Sequence, residues 1–295
     1  MTRVAAVDLG TNATRLLVAD VADGRVDEVA RRTRITRLGE GVDARRRLLP
    51  VPIARVRNVL TEYRREAERL GAERVLAVAT SAVRDADNGE AFLGEVEWSY
   101  GFATLLLSGD EEAALTRRGV GPVPPGTLIL DVGGGSTEVS VDERSVSLDV
   151  GSVRLTERFL DSDPPPTDEL ARASAHVRSL LPTWEARAAL AVDGTVAELA
   201  ALAGSPEVTR AFVDAQLARL AAIPAEERRS ILRLEPDRAD AIVAGVLVVA
   251  AVLAHFGLGS ISHSGRDLLH GAVLAAAELP AAPERAAPPG AYTCC

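Results

Sequence analysis

The chain is predicted to be an α/β protein whose two related domains face each other across a cleft. The first observation is a repeated turn, rich in glycine and hydroxyl residues, which occurs at Asp8–Thr14 and again at Asp131–Glu138. The second is that an apolar run suited to a β-strand precedes each turn, and another run follows it. The third is that helices and strands alternate after each hairpin, which is typical of α/β sheets.

The composition is that of a globular protein without a basic surface. Of the 295 residues, 47% are hydrophobic and 25% are charged, and the formal net charge is −9 at pH 7. This length accommodates two cores, while the acidic balance argues against a nucleic-acid partner. The two cysteines are Cys294 and Cys295, and no signal peptide precedes the first strand, so we expect a cytoplasmic protein without structural disulfides.

In the first half, strands are predicted at Val4–Asp8, Thr14–Asp20 and Arg25–Thr33. Helix, strand, helix, strand and helix then follow, at Ile53–Leu70, Val75–Ala79, Glu90–Tyr100, Phe102–Leu107 and Glu111–Arg118. The segment Pro122–Gly126 breaks this pattern. We therefore predict an N-terminal domain over residues 1–121 and a C-terminal domain over residues 122–280.

The second half repeats the sequence of strands, turn and alternating elements. After its hairpin, the predicted elements are a helical region, a strand, two helices, a strand and a final helix, at Thr167–Arg187, Leu190–Val192, Val196–Ala203, Asp237–His255, Ser260–His263 and Asp267–Glu278. The tail, residues 281–295, is rich in Ala and Pro and is predicted to be disordered.

The segment Ala241–Phe256 is almost wholly apolar and invites comparison with a membrane span. It is at the short end for a span, and the charged residues Asp237, Arg238 and Asp240 precede it closely. We therefore predict a buried helix at a domain interface and no membrane partner. Whether this helix packs within the chain or at a homodimer interface stays open.

The repeated turns have the composition of anion-binding sites. Glycines allow backbone N–H groups to close around an anion, and Ser or Thr hydroxyls add donors. An Asp at the end of the preceding strand can hold Mg²⁺ on the bound phosphates. One such turn is often a plain hairpin, but two matched copies, the second with Gly133, Gly134 and Gly135 in a row, favour phosphate binding.

Two further clusters carry charged groups. Arg84 follows a strand end, where the crevice of an α/β fold lies, and a guanidinium there can clamp phosphate. The alternative is that Arg84 caps a helix or pairs with Asp85.

The second cluster is acidic. Asp110, Glu111 and Glu112 begin a helix, where the dipole favours negative charge. The sharper interpretation is that one of these glutamates points into the cleft as a general base.

Together and in this order, the motifs resemble the exopolyphosphatase/guanosine pentaphosphate phosphohydrolase (Ppx/GppA) family over about residues 3 to 279. The segments that carry the resemblance are Asp8–Asn12, Ala79–Arg84, Ser108–Ala113 and Asp131–Glu138, supported by Arg37–Val42 and Gly151–Glu157. The family belongs to the actin and sugar-kinase superfamily. The resemblance therefore implies two actin-like, ribonuclease H-like domains with an active site in the cleft between them.

The resemblance also implies roles for the matched residues. Glu112 corresponds to the general base, and Arg84 to the arginine that grips substrate phosphate. Asp8, Asp131 and Glu138 correspond to acids that bind Mg²⁺, with Mn²⁺ as an alternative, or that orient the attacking water. The remaining phosphate-binding residues would be Thr11, Asn12, Gly133, Gly134, Gly135, Ser136 and Thr137.

The activity implied is hydrolysis of the terminal phosphoanhydride of inorganic polyphosphate, with short chains preferred. Guanosine pentaphosphate is the second substrate candidate. Two other classes of function stay open, a kinase of the superfamily and a non-catalytic phosphate sensor.

The sequence departs from the family at two positions: Ala13, where the family often has Ser, and Asp193, where a Gly-Gly-Thr pattern is common. Asp193 weakens the case for a nucleotide. The extra helical domains of longer members are absent from this sequence, so we expect a weaker grip on long polymers.

Overall fold

The computed structural model describes residues 1–231 and 236–280, and a mixed β-sheet forms the centre of each half. In the first sheet the order is β3-β2-β1-β4-β5. Its strands are β1 (Thr2–Leu9), β2 (Ala13–Ala22), β3 (Arg25–Ile35), β4 (Arg74–Ala79) and β5 (Ala103–Leu106). Strands β1, β2 and β3 pair antiparallel, whereas β1, β4 and β5 pair parallel.

The second sheet repeats this arrangement and adds one strand. Its members are β6 (Thr127–Val132), β7 (Thr137–Val141), β8 (Arg144–Leu148), β9 (Ala188–Ala191), β10 (Glu207–Thr209) and β11 (Ser260–His263). Their order is β10-β11-β9-β6-β7-β8, so an antiparallel β8-β7-β6 unit is again continued by parallel strands, here β9 and β11. The predicted fold class of two related α/β units is confirmed, in the duplicated form that the actin-like resemblance implied.

Helices connect and cover the two sheets. In the first half these are α1 (Val42–Arg45), α2 (Pro50–Arg69), α3 (Ser81–Arg84), α4 (Gly89–Tyr100) and α5 (Gly109–Val120). The later helices are α6 (Ser152–Phe159), α7 (Thr167–Leu180), α8 (Gly194–Ala203), α9 (Arg210–Ala221), α10 (Ala225–Arg228), α11 (Ile242–His255) and α12 (Leu268–Glu278), with a 3₁₀ turn at Pro236–Arg238.

Two predicted helices are shorter than the sequence indicated. The region predicted as helical to Arg187 ends at Leu180, because Pro182 follows and disfavours helix in the residue before it. The helix predicted over Asp237–His255 is divided into the 3₁₀ turn and α11, which begins at Ile242. Helices α6 and α9 were not predicted from the sequence.

The final helix returns to the first half of the chain. Leu269, Ala272 and Ala276 of α12 pack with Val4 and Ala6 of β1 in one apolar cluster, beside α5. The predicted boundary between residues 121 and 122 stays a prediction. The packing of α12 nevertheless means that both ends of the described chain contribute to the core around the first sheet.

Helix α11 is buried along most of its length, from Ile242 to Leu253, and packs within the second half against α6, α7 and α9. The prediction of a buried helix is confirmed, whereas its expected place at a domain interface is wrong, because these contacts lie within the second half. Within residues 1–231 and 236–280, no helix has both the length and the apolar character that a membrane crossing requires. The tail predicted to be disordered, residues 281–295, lies outside the described residues.

Candidate active site

The two repeated turns have the same backbone geometry. The amide of Gly10 donates to the carbonyl of Ala13 over 3.1 Å, and the amide of Gly133 donates to the carbonyl of Ser136 over 3.0 Å. A Cβ atom on Gly10 would lie 2.8 Å from the Ala13 oxygen, and one on Gly133 would lie 2.9 Å from the Ser136 oxygen. Both contacts are too short for any side chain, so each turn requires glycine at this position.

The two turns also meet each other across the halves of the molecule. A Cβ atom on Gly134 would lie 3.0 Å from Cβ of Thr11 and 3.1 Å from the backbone nitrogen of Asn12. One on Gly135 would lie 2.9 Å from Oγ1 of Thr11. The glycine run therefore allows the second turn to pack directly on the first.

A cleft of about 290 Å³ opens beside this contact. Residues of both turns line it, and so do the predicted acids Asp8, Glu112 and Asp131. The other charged residues in its wall are Arg15, Arg31, Asp193, Arg238, His263 and Asp267. Thus Thr11, Asn12 and residues 133–136 share one cavity, whereas Thr137 is a buried strand residue whose hydroxyl donates to the carbonyl of Val150 over 2.5 Å.

Asp8 is held by an arginine that the sequence reasoning missed. Arg15 faces Asp8 across strands β1 and β2, and its Nε and Nη2 lie 2.8 and 2.7 Å from Oδ2 of Asp8. The Nη1 atom of Arg15 also contacts Oδ2 of Asp267 at 2.9 Å. The other oxygen of Asp8, Oδ1, is buried without a hydrogen-bond partner, and burial raises the pKa of this carboxyl.

Asp267, the N-cap of α12, is another charged residue that lines the cleft. Its side chain accepts a hydrogen bond from the backbone of Leu269 and also contacts Arg31 at 3.2 Å. Although burial alone would raise the pKa of Asp267, the charge of Arg15, a hydrogen bond with His270 and the charge of Arg31 hold it below its usual range. Arg31 faces this site, while its neighbour Arg32 pairs with Glu66 elsewhere, as strand alternation requires.

The second hairpin places two acids at the corresponding positions. Asp131 faces Glu138 across β6 and β7, as Asp8 faces Arg15 in the first hairpin. Oε1 of Glu138 accepts a hydrogen bond from Ser147 over 2.7 Å, and Oε2 is buried without a partner. Burial raises the pKa of both carboxyls, and for Asp131 the charge of Glu138 adds to this effect. This internal symmetry was the signal that could have identified Arg15.

The two glutamates at the start of α5 have different surroundings. Ser108 is the N-cap, and Glu111 completes a capping box in which its carboxylate accepts from the backbone and hydroxyl of Ser108. Glu112 turns the other way and is 6% exposed within the cleft wall. The dipole explanation thus accounts for Glu111, while Glu112 has the position that the general-base hypothesis requires.

Arg84 lies beside Glu112. Its Nη1 donates to the carbonyl of Leu107 over 2.7 Å and lies 3.4 Å from Oε2 of Glu112. Arg84 is not among the described residues that line the cleft, so its contact with substrate phosphate stays a prediction. The alternative pairing of Arg84 with Asp85 is not found, because Asp85 is bound by Arg154.

The donor set is suited to a cation that shares its ligands with substrate. In the described part of the chain, no group of three or more His, Cys, Asp or Glu side chains forms a metal-binding cluster. However, Asp8, which lines the cleft, keeps one buried carboxylate oxygen without a partner. So does Glu138, which is not among the lining residues but faces Asp131 across β6 and β7. Mg²⁺ is commonly held by one or two carboxylates together with phosphate oxygens and water. These residues therefore fit Mg²⁺ in that mode.

Asp193 also lies in the cleft wall. Its Oδ1 caps α8 by accepting from the backbone of Val196 over 2.9 Å, and Oδ2 is buried without a partner. The guanidinium of Arg238 lies over the adjacent Gly194, since a Cβ atom there would be 2.3 Å from Nη1. The predicted departure at Asp193 thus places a negative charge where the second turn and α8 converge.

The buried position of Glu112 predicts a measurable dependence of stability on pH. Burial, followed by the charges of Glu138 and Asp131, raises its pKa well above the usual value. The folded protein therefore holds this proton more tightly than the unfolded chain does. The stability that this contributes is complete below the unfolded pKa of about 4.3 and is lost as the pH rises through the higher pKa of the folded protein. A Glu112→Gln variant cannot ionise, so we expect its Tm to exceed that of the wild type near pH 8.

Thermal unfolding of both proteins between about pH 5 and pH 8 tests this expectation, because the Tm difference should shrink toward the acidic end. A matched Glu111→Gln variant serves as the control, since the pKa of Glu111 is lowered by its hydrogen bonds with Ser108. A Tm difference for Glu112→Gln that is the same at both ends of the range would contradict the prediction.

Comparison with known proteins identifies the family of the chain. A family model described as the Ppx/GppA phosphatase family matches residues 17–279. The chain is 38% identical over 316 residues to exopolyphosphatase 2 of Mycobacterium tuberculosis, covering 94% of this chain and 99% of the relative.

Solved structures show the same similarity. The Ppx-GppA enzyme of Aquifex aeolicus matches with a TM-score of 0.77 at 30% identity, over 93% of this chain and 99% of that one. An exopolyphosphatase from Cytophaga hutchinsonii has the same fold, with a TM-score of 0.85 at 23% identity, over 92% and 97% of the two chains. With its paired glycine turns and its matched length, this chain is a hydrolase of the Ppx/GppA phosphatase family.

Proposed function

We propose that the protein is a Mg²⁺-dependent exopolyphosphatase that removes the terminal phosphate of short inorganic polyphosphate chains. The observation that carries the proposal is the position of Glu112, buried in the wall of a cleft that both glycine turns line. The relative from Mycobacterium tuberculosis, which is named exopolyphosphatase 2, supports the substrate class. The cytoplasmic location expected from the sequence belongs to the same proposal.

The turns supply the binding of the terminal phosphoryl group. Thr11, Asn12 and residues 133–136 line a common cleft, and backbone amides of such glycine-rich turns can bind phosphate oxygens. Arg84, beside Glu112, would add charge-assisted hydrogen bonds. Bound Mg²⁺, held by the free oxygens of Asp8 and Glu138, would neutralise phosphate charge.

Glu112 would position a water molecule and accept its proton. The water oxygen attacks the terminal phosphorus, and the bond from that phosphorus to the bridging oxygen breaks. The products are orthophosphate and a chain one phosphate shorter. Electrostatic positioning by fixed donors provides most of the rate in such reactions, which is consistent with the fixed geometry of both turns.

Phosphate release by the purified protein tests the proposal. We expect release from tripolyphosphate that depends on Mg²⁺, that Mn²⁺ partly supports and that EDTA abolishes. Long-chain polyphosphate, guanosine pentaphosphate and ATP are compared at equal terminal-phosphate concentration. Faster turnover of guanosine pentaphosphate than of tripolyphosphate would reassign the substrate. Binding without turnover would indicate a sensor, and ATP-dependent phosphorylation of an acceptor without free phosphate would indicate a kinase.

A further inference from the structure

Two segments singled out in the sequence, Arg37–Val42 and Gly151–Glu157, have no catalytic role in the proposed reaction and approach each other between the halves. The amide of Gly41 donates to Oε1 of Glu157 over 3.1 Å. The next residue, Arg158, binds both oxygens of Asp43 at 2.6 Å. These contacts join the first half of the chain to α6 of the second half.

Arg154 is the centre of this junction. Its side chain is 7% exposed, and its Nε lies 3.2 Å from Oδ1 of Asp43 while Nη2 binds Oδ2 of Asp85. Both of those carboxylates belong to the first half, whereas Nη1 contacts Asp149 of the second half at 3.2 Å. A buried guanidinium requires such partners, because an unpaired buried charge is strongly destabilising. The ion pairs therefore favour the arrangement in which the halves touch.

On the second half, α6 is attached directly to the phosphate turn. The amide of Ser152 donates to the carbonyl of Gly133 over 2.9 Å, and that of Val153 donates to the carbonyl of Gly134 over 2.8 Å. A Cβ atom on Gly151 would lie only 2.5 Å from the carbonyl carbon of Gly134. A displacement of α6 therefore displaces the turn as well.

On the first half, Asp85 follows Arg84 at the end of α3, and Arg84 lies 3.4 Å from Glu112. Arg154 thus connects α6, which is hydrogen-bonded to the phosphate turn, to Asp85, whose neighbour Arg84 contacts the general-base candidate. Arg154 itself is not among the described residues lining the main cleft.

We propose that Arg154 is a positioning residue, which fixes the distance between the Gly133–Gly135 turn and Glu112 by joining α6 to Asp43 and Asp85. This proposal rests on the hydrolase function proposed above. The base lies on one half and the phosphate turn on the other, so the angle of water attack depends on how the halves are joined. A misplacement of about 1 Å is enough to reduce turnover about 100-fold.

The test replaces Arg154 by Met, which keeps the length of the side chain but removes its charge. For tripolyphosphate hydrolysis we expect kcat to fall about 100-fold, with KM changed less than about fivefold, because each half keeps its own phosphate turn. The control is Arg57→Met, which removes an exposed ion pair with Glu95 inside the first half and should leave both parameters unchanged.

The distance between the halves is measured separately, by double electron–electron resonance between two nitroxide labels. The labels are introduced as Trp98→Cys and Ala171→Cys, two exposed positions on opposite halves, with Cys294 and Cys295 replaced by Ser. We expect a broader distance distribution in Arg154→Met than in the wild type or in Arg57→Met. If Arg154→Met does not fold, Asp85→Asn removes the first-half partner and undergoes the same measurements.

Three outcomes would overturn the proposal: an unchanged kcat in folded Arg154→Met, a lower kcat with an unchanged label distribution, or a rise in KM as large as the fall in kcat. If the wild-type protein releases no phosphate, the proposed function fails instead. The label distances then still decide whether Arg154 fixes the halves, so the two failures are distinguishable.

Discussion

Replacement of Glu112 by Gln is expected to lower kcat for phosphate release by about 1,000-fold, since a positioned general base contributes about 10²- to 10⁴-fold. Gln keeps the shape of the side chain and its place in the cleft wall, so substrate binding should stay close to that of the wild type. The buried carboxylate lies 3.4 Å from Arg84, and the carboxamide has no basic oxygen that can take the proton of water. Single-turnover phosphate release and equilibrium binding separate the two effects.

Glu111→Gln is the matched control, because it makes the same chemical change at the neighbouring position. Glu111 serves the capping box with Ser108, a role that Gln also fulfils. We therefore expect kcat to change less than about twofold in this variant, given that helix caps affect stability by about 1 kcal/mol rather than chemistry. Equal losses in both variants, or near wild-type turnover in Glu112→Gln, would remove the proposed role of Glu112.

A single methyl group at Gly151 is expected to reduce kcat/KM by about 100-fold, by displacing the second phosphate turn. In the structure, a Cβ atom at this position would lie 2.5 Å from the carbonyl carbon of Gly134 and 2.6 Å from its oxygen. Both atoms are backbone, so the turn itself must move. The φ angle of Gly151 is −146°, which alanine adopts readily, and the expected effect is therefore steric rather than conformational.

Gly94→Ala provides the comparison for this variant. Gly94 lies inside α4, and a Cβ atom there would meet nothing within 4 Å. Replacing it by Ala should raise the free energy of unfolding by about 0.5–1 kcal/mol and leave activity unchanged. The measurements are kcat/KM and thermal unfolding of both variants. A fully active Gly151→Ala protein would contradict the expected loss and would show that the turn tolerates movement.

Local patterns predicted much of the fold because they arise from neighbouring residues. The apolar runs of β1 and β2, the helical spacing of Val56, Leu60 and Tyr63, and the glycine turns are all patterns within a hairpin or a helix. The division of Asp237–His255 was not predicted, because Arg238 and Asp240 are drawn to ion pairs with Glu198 and Arg37. Those partners are distant in sequence.

The sequence by itself determined the duplicated hairpins, the glycines that each turn requires and the acidic run from which the general-base candidate comes. Only the tertiary structure decided that Glu112 rather than Glu111 faces the cleft, that Arg15 joins Asp8 to Asp267, and that α12 completes the core of the first half. The physical reason is that turns and caps form among adjacent residues, whereas buried charges are stabilised by whichever partners the folded chain brings together.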